Sequence, residues 1–134
     1  MSDDSILVDA SAVLTVILEE PEKPAILEVT AGCEAKAPGC LGWEIGNAFS
    51  RMVKRKRLKE HESLAALAVF ETIPVQEVEV NLEEALQLAL KHKIYAYDAY
   101  YLVAAKTHRV ELLTLDGRMS DVAKAEGIKL KEIP

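Results

Sequence analysis

Short apolar runs, each too short to make a helix, alternate along this chain with longer segments whose apolar residues recur at helical spacing. That alternation restricts the fold more than any other feature. Ile6-Leu7-Val8 is the first run and ends at Asp9. Ser11 then offers a cap for a helix carrying Val13, Leu14, Ile17 and Leu18. Glu19-Glu20-Pro21-Glu22-Lys23-Pro24 interrupts it, because a proline drives the preceding residue out of the helical region. A second helix is expected over 24–31, stopping at Gly32. Ala35 to Pro38 reads as a short extended segment. Helical spacing returns from Gly42, with Trp43, Ile45, Ala48, Phe49, Met52 and Val53, and again over Glu60 to Glu71. The alternation from Pro74 to Val80 predicts a half-exposed strand. Asn81 with Glu84 three residues later has the pattern of a capping box for the next helix, and a further helix is expected from Tyr97 to Lys106. Leu112-Leu113-Thr114-Leu115 reads as a strand ending at Asp116, Gly117-Arg118 opens a helix to Glu126, and Ile128 to Ile133 reads as a last short strand. This order predicts an α/β fold with a central parallel sheet of four to five short strands, covered by helices on both faces. Such sheets bind ligands beyond the carboxyl ends of their strands.

At 134 residues, with no repeat, low-complexity tract or linker, the chain is expected to be one domain over 1–134. Half the residues are hydrophobic and 28% are charged, which supports a packed core and argues against general disorder. No apolar run approaches the ~20 residues of a membrane helix. The start, Met1-Ser2-Asp3-Asp4-Ser5, is acidic and lacks the basic and apolar stretches of a secretion signal, so a cytoplasmic location is expected. Cys33 and Cys40 are not expected to pair in that compartment, and no third or fourth thiol completes a zinc site. His61, His92 and His108 are scattered and read as surface residues. The chain has no G-x-x-x-x-G-K-[ST] or G-x-G-x-x-G, which argues against nucleotide-binding enzymes.

Four carboxylates stand where carboxylates are costly. Asp9 and Asp116 directly follow apolar strands and share the expected carboxyl edge of the sheet. Asp98 sits inside the apolar segment Tyr95-Ala96-Tyr97-Asp98-Ala99-Tyr100-Tyr101-Leu102-Val103-Ala104-Ala105. Glu44 lies near a helix start, with Asn47 and Arg51 three and seven residues on and so on the same helix face. Each has an ordinary reading by itself: Asp9 and Asp116 as turn or cap residues, Asp98 as a helix cap, Glu44 as a solvated charge. Those readings do not explain the four together. If they converge, like charges ~4 Å apart repel by roughly 1 kcal/mol in water and about 4 kcal/mol at an effective dielectric of 20. Such a cluster binds protons or recruits a cation. With oxygen donors alone the cation is hard, magnesium or manganese, and a site of that kind suits phosphodiester hydrolysis by metal-activated water.

Val8-Asp9-Ala10-Ser11-Ala12, Trp43-Glu44-Ile45-Gly46-Asn47-Ala48, Tyr97-Asp98-Ala99-Tyr100-Tyr101-Leu102 and Leu113-Thr114-Leu115-Asp116, in that order and at that spacing, resemble the acidic motifs of PIN-domain ribonucleases. They are most similar to the VapC-like toxins of toxin–antitoxin pairs. The resemblance covers nearly the whole chain. It implies a PIN-like fold with the acids meeting in one groove. It implies that Asp9, Glu44, Asp98 and Asp116 are catalytic and hold one or two Mg2+ or Mn2+ ions that support endonucleolytic cleavage of RNA. Thr114 then resembles the hydroxyl residue that orients the neighbouring acid; Asn47 and Ser11 are supporting candidates, with a helix cap favoured for Ser11. The resemblance also implies a small antitoxin partner, whose tail lies across the groove, and a homodimer; no membrane is involved.

Arg51-Met52-Val53-Lys54-Arg55-Lys56-Arg57-Leu58-Lys59 holds six basic residues and no acidic one, in a chain whose net charge is −6, leaving −12 for the remainder. Such a block serves solubility or a helix C-terminus, or it contacts RNA phosphates. Arg51 is the first candidate for that contact and Arg118 the second. Tyr95, Tyr97, Tyr100 and Tyr101 belong either to the core or a dimer surface, or stack on bases. Two other function classes compete with a nuclease. One is a non-catalytic PIN-like module whose acids hold a basic partner segment. The other is a phosphoryl-accepting signalling domain, which fits poorly because Asp3-Asp4 precede the first strand and no lysine closely follows the last.

Overall fold

The computed structural model describes residues 4–134. Met1, Ser2 and Asp3 lie outside the described residues. The elements alternate as the sequence predicts: β1 (Ser5–Val8), α1 (Ala10–Ile17), α2 (Lys23–Thr30), β2 (Glu34–Pro38), α3 (Leu41–Lys54), α4 (Glu60–Thr72), β3 (Val75–Val78), α5 (Leu82–His92), α6 (Ala96–His108), β4 (Glu111–Leu113) and α7 (Gly117–Ala125).

The four strands form one parallel sheet in the order β3-β2-β1-β4. Chain order therefore reverses at β1, whose neighbours are β2 on one side and β4 on the other. In open parallel sheets the crevice at such a reversal is the ligand site. Ile6, Leu7, Leu112 and Leu113 are at most 1% exposed, as expected of strands covered on both faces. β3 is an edge strand and shows the half-exposed pattern read from its alternation.

Helix α6 is the central one. Ala99 and the run Tyr101 to Ala105 are all buried, and the helix packs on β1, β2 and β4. A satellite cluster of Ala85, Ala89, Ala99 and Val103 joins it to α5. Asn81 caps α5 by accepting from the Glu84 N–H at 2.9 Å.

Two sequence expectations are corrected. Ser11 does not cap α1. Asp9 leaves β1 in extended backbone, and its carboxylate accepts the Ala12 N–H, which places Ser11 inside the first turn. Residues 128–133 form no strand, only one isolated parallel bridge, Leu112↔Leu130. Alternate residues of a strand aim their backbone groups to opposite sides. In the three-residue β4 only Leu112 faces away from β1, and it accepts from Lys131 and donates to Lys129. There is one position to pair with, so one bridge forms.

Candidate active site

Asp9 sits where β1 ends, and it is 2% exposed. The β1–β4 register pairs Val8 with Leu113, so Asp9 and Thr114 are the next residues on the two strands that flank the topological reversal. One oxygen of Asp9, Oδ1, accepts from the Ser11 hydroxyl at 2.7 Å and the Ala12 N–H at 3.0 Å. The other, Oδ2, accepts from the Thr114 hydroxyl at 2.5 Å. The same two hydroxyls accept backbone N–H groups from the turn after β4. Ser11 Oγ takes that of Leu115 at 2.9 Å, and Thr114 Oγ1 takes that of Asp116 at 3.0 Å. A hydroxyl has one proton to give, so in this arrangement both protons are committed to Asp9. Ser11 and Thr114 thus tie the end of β1 to the β4–α7 turn through a buried carboxylate. Burial pushes the Asp9 pKa up, against the hydrogen bonds from Thr114, Ala12 and Ser11, and the negative charge of Asp116 adds to the rise.

Asp116 caps α7, accepting from the Met119 N–H at 3.0 Å. The cap reading of Asp9 and Asp116 therefore holds, and it leaves the site reading open. Each carboxylate uses part of its acceptor capacity on a helix start, and the helix start fixes where the carboxylate stands. Asp98 does not cap its helix. Tyr95 holds that position, and Asp98 lies in the first turn of α6, with no hydrogen-bond or ion-pair partner among the described residues. Its pKa is raised to about 6, first by burial and then by Asp116, Glu44 and Asp9, with Arg118 opposing. Asp116, Glu44 and Asp9, from three other segments, thus all act on Asp98.

Glu44 lies in the first turn of α3 and is held from two sides. The Tyr101 hydroxyl donates to its Oε2 at 2.5 Å and the Cys40 thiol donates to the same oxygen at 3.5 Å. Burial raises the Glu44 pKa, the two donors oppose that, and Asp9 adds to it. Burial and the Glu44 charge likewise push the Cys40 thiol up to about 11, so it stays protonated and able to donate.

Sequence reasoning missed both partners of Glu44. Cys40 stands four residues before Glu44, the spacing of helix neighbours, and that signal was available. Tyr101 was counted among four tyrosines with a shared set of readings, but the four separate in the structure. Tyr101 is 1% exposed in the core, while Tyr95 and Tyr97 are 82% and 50% exposed. Tyr100 meets Tyr97 edge to face, with ring centroids 5.7 Å apart.

Glu44 and Asp98 line an open cleft of about 300 Å³, together with Asn47, Arg51, Trp43, Tyr95 and Tyr97. Asn47 and Arg51 thus stand on the cleft wall as the helix spacing requires. Arg118 is not a lining residue. Its guanidinium donates to the carbonyls of His92 and Lys93 at 3.2 and 3.0 Å, closing the end of α5.

Among the described residues no three His, Cys, Asp or Glu side chains are grouped closely enough to hold an ion as they stand. The donor set nevertheless fits a hard divalent cation by its chemistry. It is oxygen only, it is anionic, and Asp98 is pushed up by the other three acids. Of the cations, Arg118 acts on Asp98.

Comparison with known proteins agrees with this fold. The PIN domain family model matches residues 6–125. Ribonuclease VapC3 of Pyrobaculum aerophilum is 30% identical over 121 residues, which span 87% of this chain and 92% of the relative. Among solved structures, VapBC2 from Rickettsia felis, bound to a DNA fragment from its promoter, has a TM-score of 0.69 at 13% identity, covering 97% of this chain and 99% of that one. Mycobacterium tuberculosis VapC20, described as a toxin that cleaves the sarcin-ricin loop, has a TM-score of 0.66 at 17% identity, covering 96% and 99%. At those identities the two structures speak for the fold.

Proposed function

The chain belongs to the PIN domain family, and from that premise we propose that it is a metal-dependent endoribonuclease, the toxin of a toxin–antitoxin pair, with all 134 residues forming one PIN-like unit. The observation that carries this reading is the convergence of Asp9, Glu44 and Asp116 on Asp98 beyond the carboxyl ends of β1 and β4. The similarity to Ribonuclease VapC3 supports it.

Asp9, Glu44, Asp98 and Asp116 are the residues that would hold Mg2+ or Mn2+. Such an ion, when bound, supplies a water of lowered pKa and polarises a phosphate oxygen. The chain's own residues do the positioning. Thr114 and Ser11 fix Asp9 in one orientation, Tyr101 and Cys40 fix Glu44, and the α7 start fixes Asp116. Arg51 on the cleft wall would meet the RNA through a phosphate, with Asn47 beside it as a supporting residue. A small antitoxin is the expected protein partner, in keeping with the VapBC complex among the structural relatives, and a homodimer is the expected assembly.

The test is incubation of a structured RNA panel with the wild-type chain and Asp9→Asn, with Mg2+ or Mn2+ and with EDTA. The expected outcome is internal cleavage by the wild type with metal only. The Asp9→Asn rate should fall by more than the ~10–100-fold seen when a partner behind a metal ligand is lost. Equal cleavage in EDTA would contradict the metal mechanism. Absence of cleavage alongside tight capture of a basic peptide would favour a non-catalytic module.

A further inference from the structure

We propose that the exposed basic turn joining α3 to α4 is a track for the phosphate backbone of single-stranded RNA, continuous with the acidic cleft along one face of α3. The inference rests on reading the cleft as a nuclease site and extends it to residues outside the cleft, Lys54 to Lys59.

Continuity follows from helix geometry. Glu44 and Arg51, seven residues apart, both line the cleft. Lys54 and Arg55, ten and eleven residues after Glu44, fall on that same face at 3.6 residues per turn. At a rise of 1.5 Å per residue, Arg51 stands about 10 Å and Arg55 about 16 Å along the axis from Glu44.

The turn that follows is closed rather than loose. The Lys56 N–H donates to the Val53 carbonyl at 3.0 Å and the Arg57 N–H to the Met52 carbonyl at 2.8 Å, with Lys56 in the left-handed region at φ 58°. That is the Schellman pattern of a helix end. Leu58 packs against the core, so the turn presents its cations from an anchored backbone.

Arg51, Lys54, Arg55, Lys56, Arg57 and Lys59 are all exposed. Among the described residues none of them forms an ion pair. Three ordinary reasons for such a block fail here. Solubility is not one, because the chain is already acidic and would be more strongly charged without the block. The α3 macrodipole accounts for Arg51 and Lys54 in its last turn but not for the residues beyond it. Arg57 and Lys59 precede α4, at the end of a helix dipole where cations are disfavoured. Glu60 and Glu62 suit that helix start, yet Glu62 spends its carboxylate on the Lys59 backbone N–H at 2.9 Å. Unpaired cations in sequence suit a polyanion. RNA is favoured over an acidic protein segment because the track leads to exposed Trp43, Tyr95 and Tyr97 at the cleft, which can stack on bases. An acidic peptide has no bases to stack on them.

The experiment measures binding of a short labelled single-stranded RNA in EDTA, so that no cleavage is needed, over about 50 to 200 mM salt. The double variant Arg55→Ala/Lys56→Ala is compared with Lys124→Ala/Lys129→Ala, which removes the same charge from another exposed surface. The first pair should bind about tenfold more weakly at low salt and lower the slope of log K against log salt by about 1.4; the second should stay within about twofold. Matched thermal melts show that both variants are folded. Equal losses in the two pairs, or no loss in the first, overturn the track. Polyglutamate competing as well as unlabelled RNA overturns the choice of ligand in favour of an acidic protein. RNA binding by the track in a chain that cuts no RNA would break the nuclease reading alone. Cleavage with kcat/KM unchanged in the first pair would break the track alone.

Discussion

The carboxyl end of β1 and the turn after α3 carry opposite charge in opposite physical settings. At the end of β1, anionic groups are half-buried or buried, and two of them are held by side-chain donors: Asp9 by Thr114 and Ser11, Glu44 by Tyr101 and Cys40. In the turn, the cations stand in solvent with no ion-pair partner among the described residues. The first arrangement opposes folding, because burial and like charge both penalise ionised carboxylates. The second is nearly neutral for folding, since exposed charges contribute little to stability. On the function proposed above, the unfavourable charge kept at the first region is what a cation would relieve. A surface that keeps favourable hydration loses little when a phosphate replaces water.

The largest expected effect is at the bracket. Thr114→Val removes the donor to a buried Asp9 oxygen and should destabilise the chain by about 1–3 kcal/mol, measured by urea unfolding. Thr114→Ser should recover most of that loss, because the hydroxyl is retained. If Val proves as stable as Ser, the buried carboxylate does not depend on that bond.

Next comes Asp98. Its folded-state pKa of about 6 lies above the ordinary aspartate value of 3.8, so the folded chain takes up a proton that the unfolded chain does not. In metal-free buffer the penalty is therefore fully present above pH 6 and is relieved as pH falls from about 6 toward 4. Stability should rise between pH 7 and 5 before the other acids reverse the trend. Asp98→Asn should raise stability at pH 7 by about 1–2 kcal/mol after allowance for solvent screening, or a melting temperature higher by about 3–6 °C, and should flatten that pH dependence. Loss of RNA cleavage in the same variant would separate function from stability at one residue. A melting temperature that falls instead would mean that Asp98 is not under like-charge strain.

Tyr101→Phe should cost about 1 kcal/mol of stability and about 10–100-fold in cleavage, with a weaker requirement for metal in the wild type than in the variant. Cleavage unchanged in Tyr101→Phe would show that Glu44 needs no positioning from the core. The smallest effect on stability is expected in the turn, where Arg55→Ala/Lys56→Ala should melt within about 0.5 kcal/mol of the wild type.

What was legible in the sequence, and what was not, divides along the same line. Ile6 to Val8 and Leu112 to Leu113 announce buried strands, and acids directly after them are visible because such positions are costly. Asp98 in an apolar helix and Glu44 beside its helix-face partners were visible for the same reason. Partners were not, because long-range pairing leaves no local mark. Tyr101 looks like a core aromatic, and its hydroxyl matters only because α6 crosses beside α3. Ser11 has the composition of a cap, but Asp9, two residues earlier, already holds the Ala12 N–H. The segment from Ile128 has a strand's alternation, but β4 offers it one free residue.

The central claim is that four acids distant in sequence form one cation site. Calorimetric titration of Mn2+ into the wild type and into Asp9→Asn, Glu44→Gln, Asp98→Asn and Asp116→Asn tests it most directly. The account predicts saturable binding by the wild type that is weakened by every single substitution, at least ~10-fold each. Binding that survives unchanged in any two of the four would contradict it.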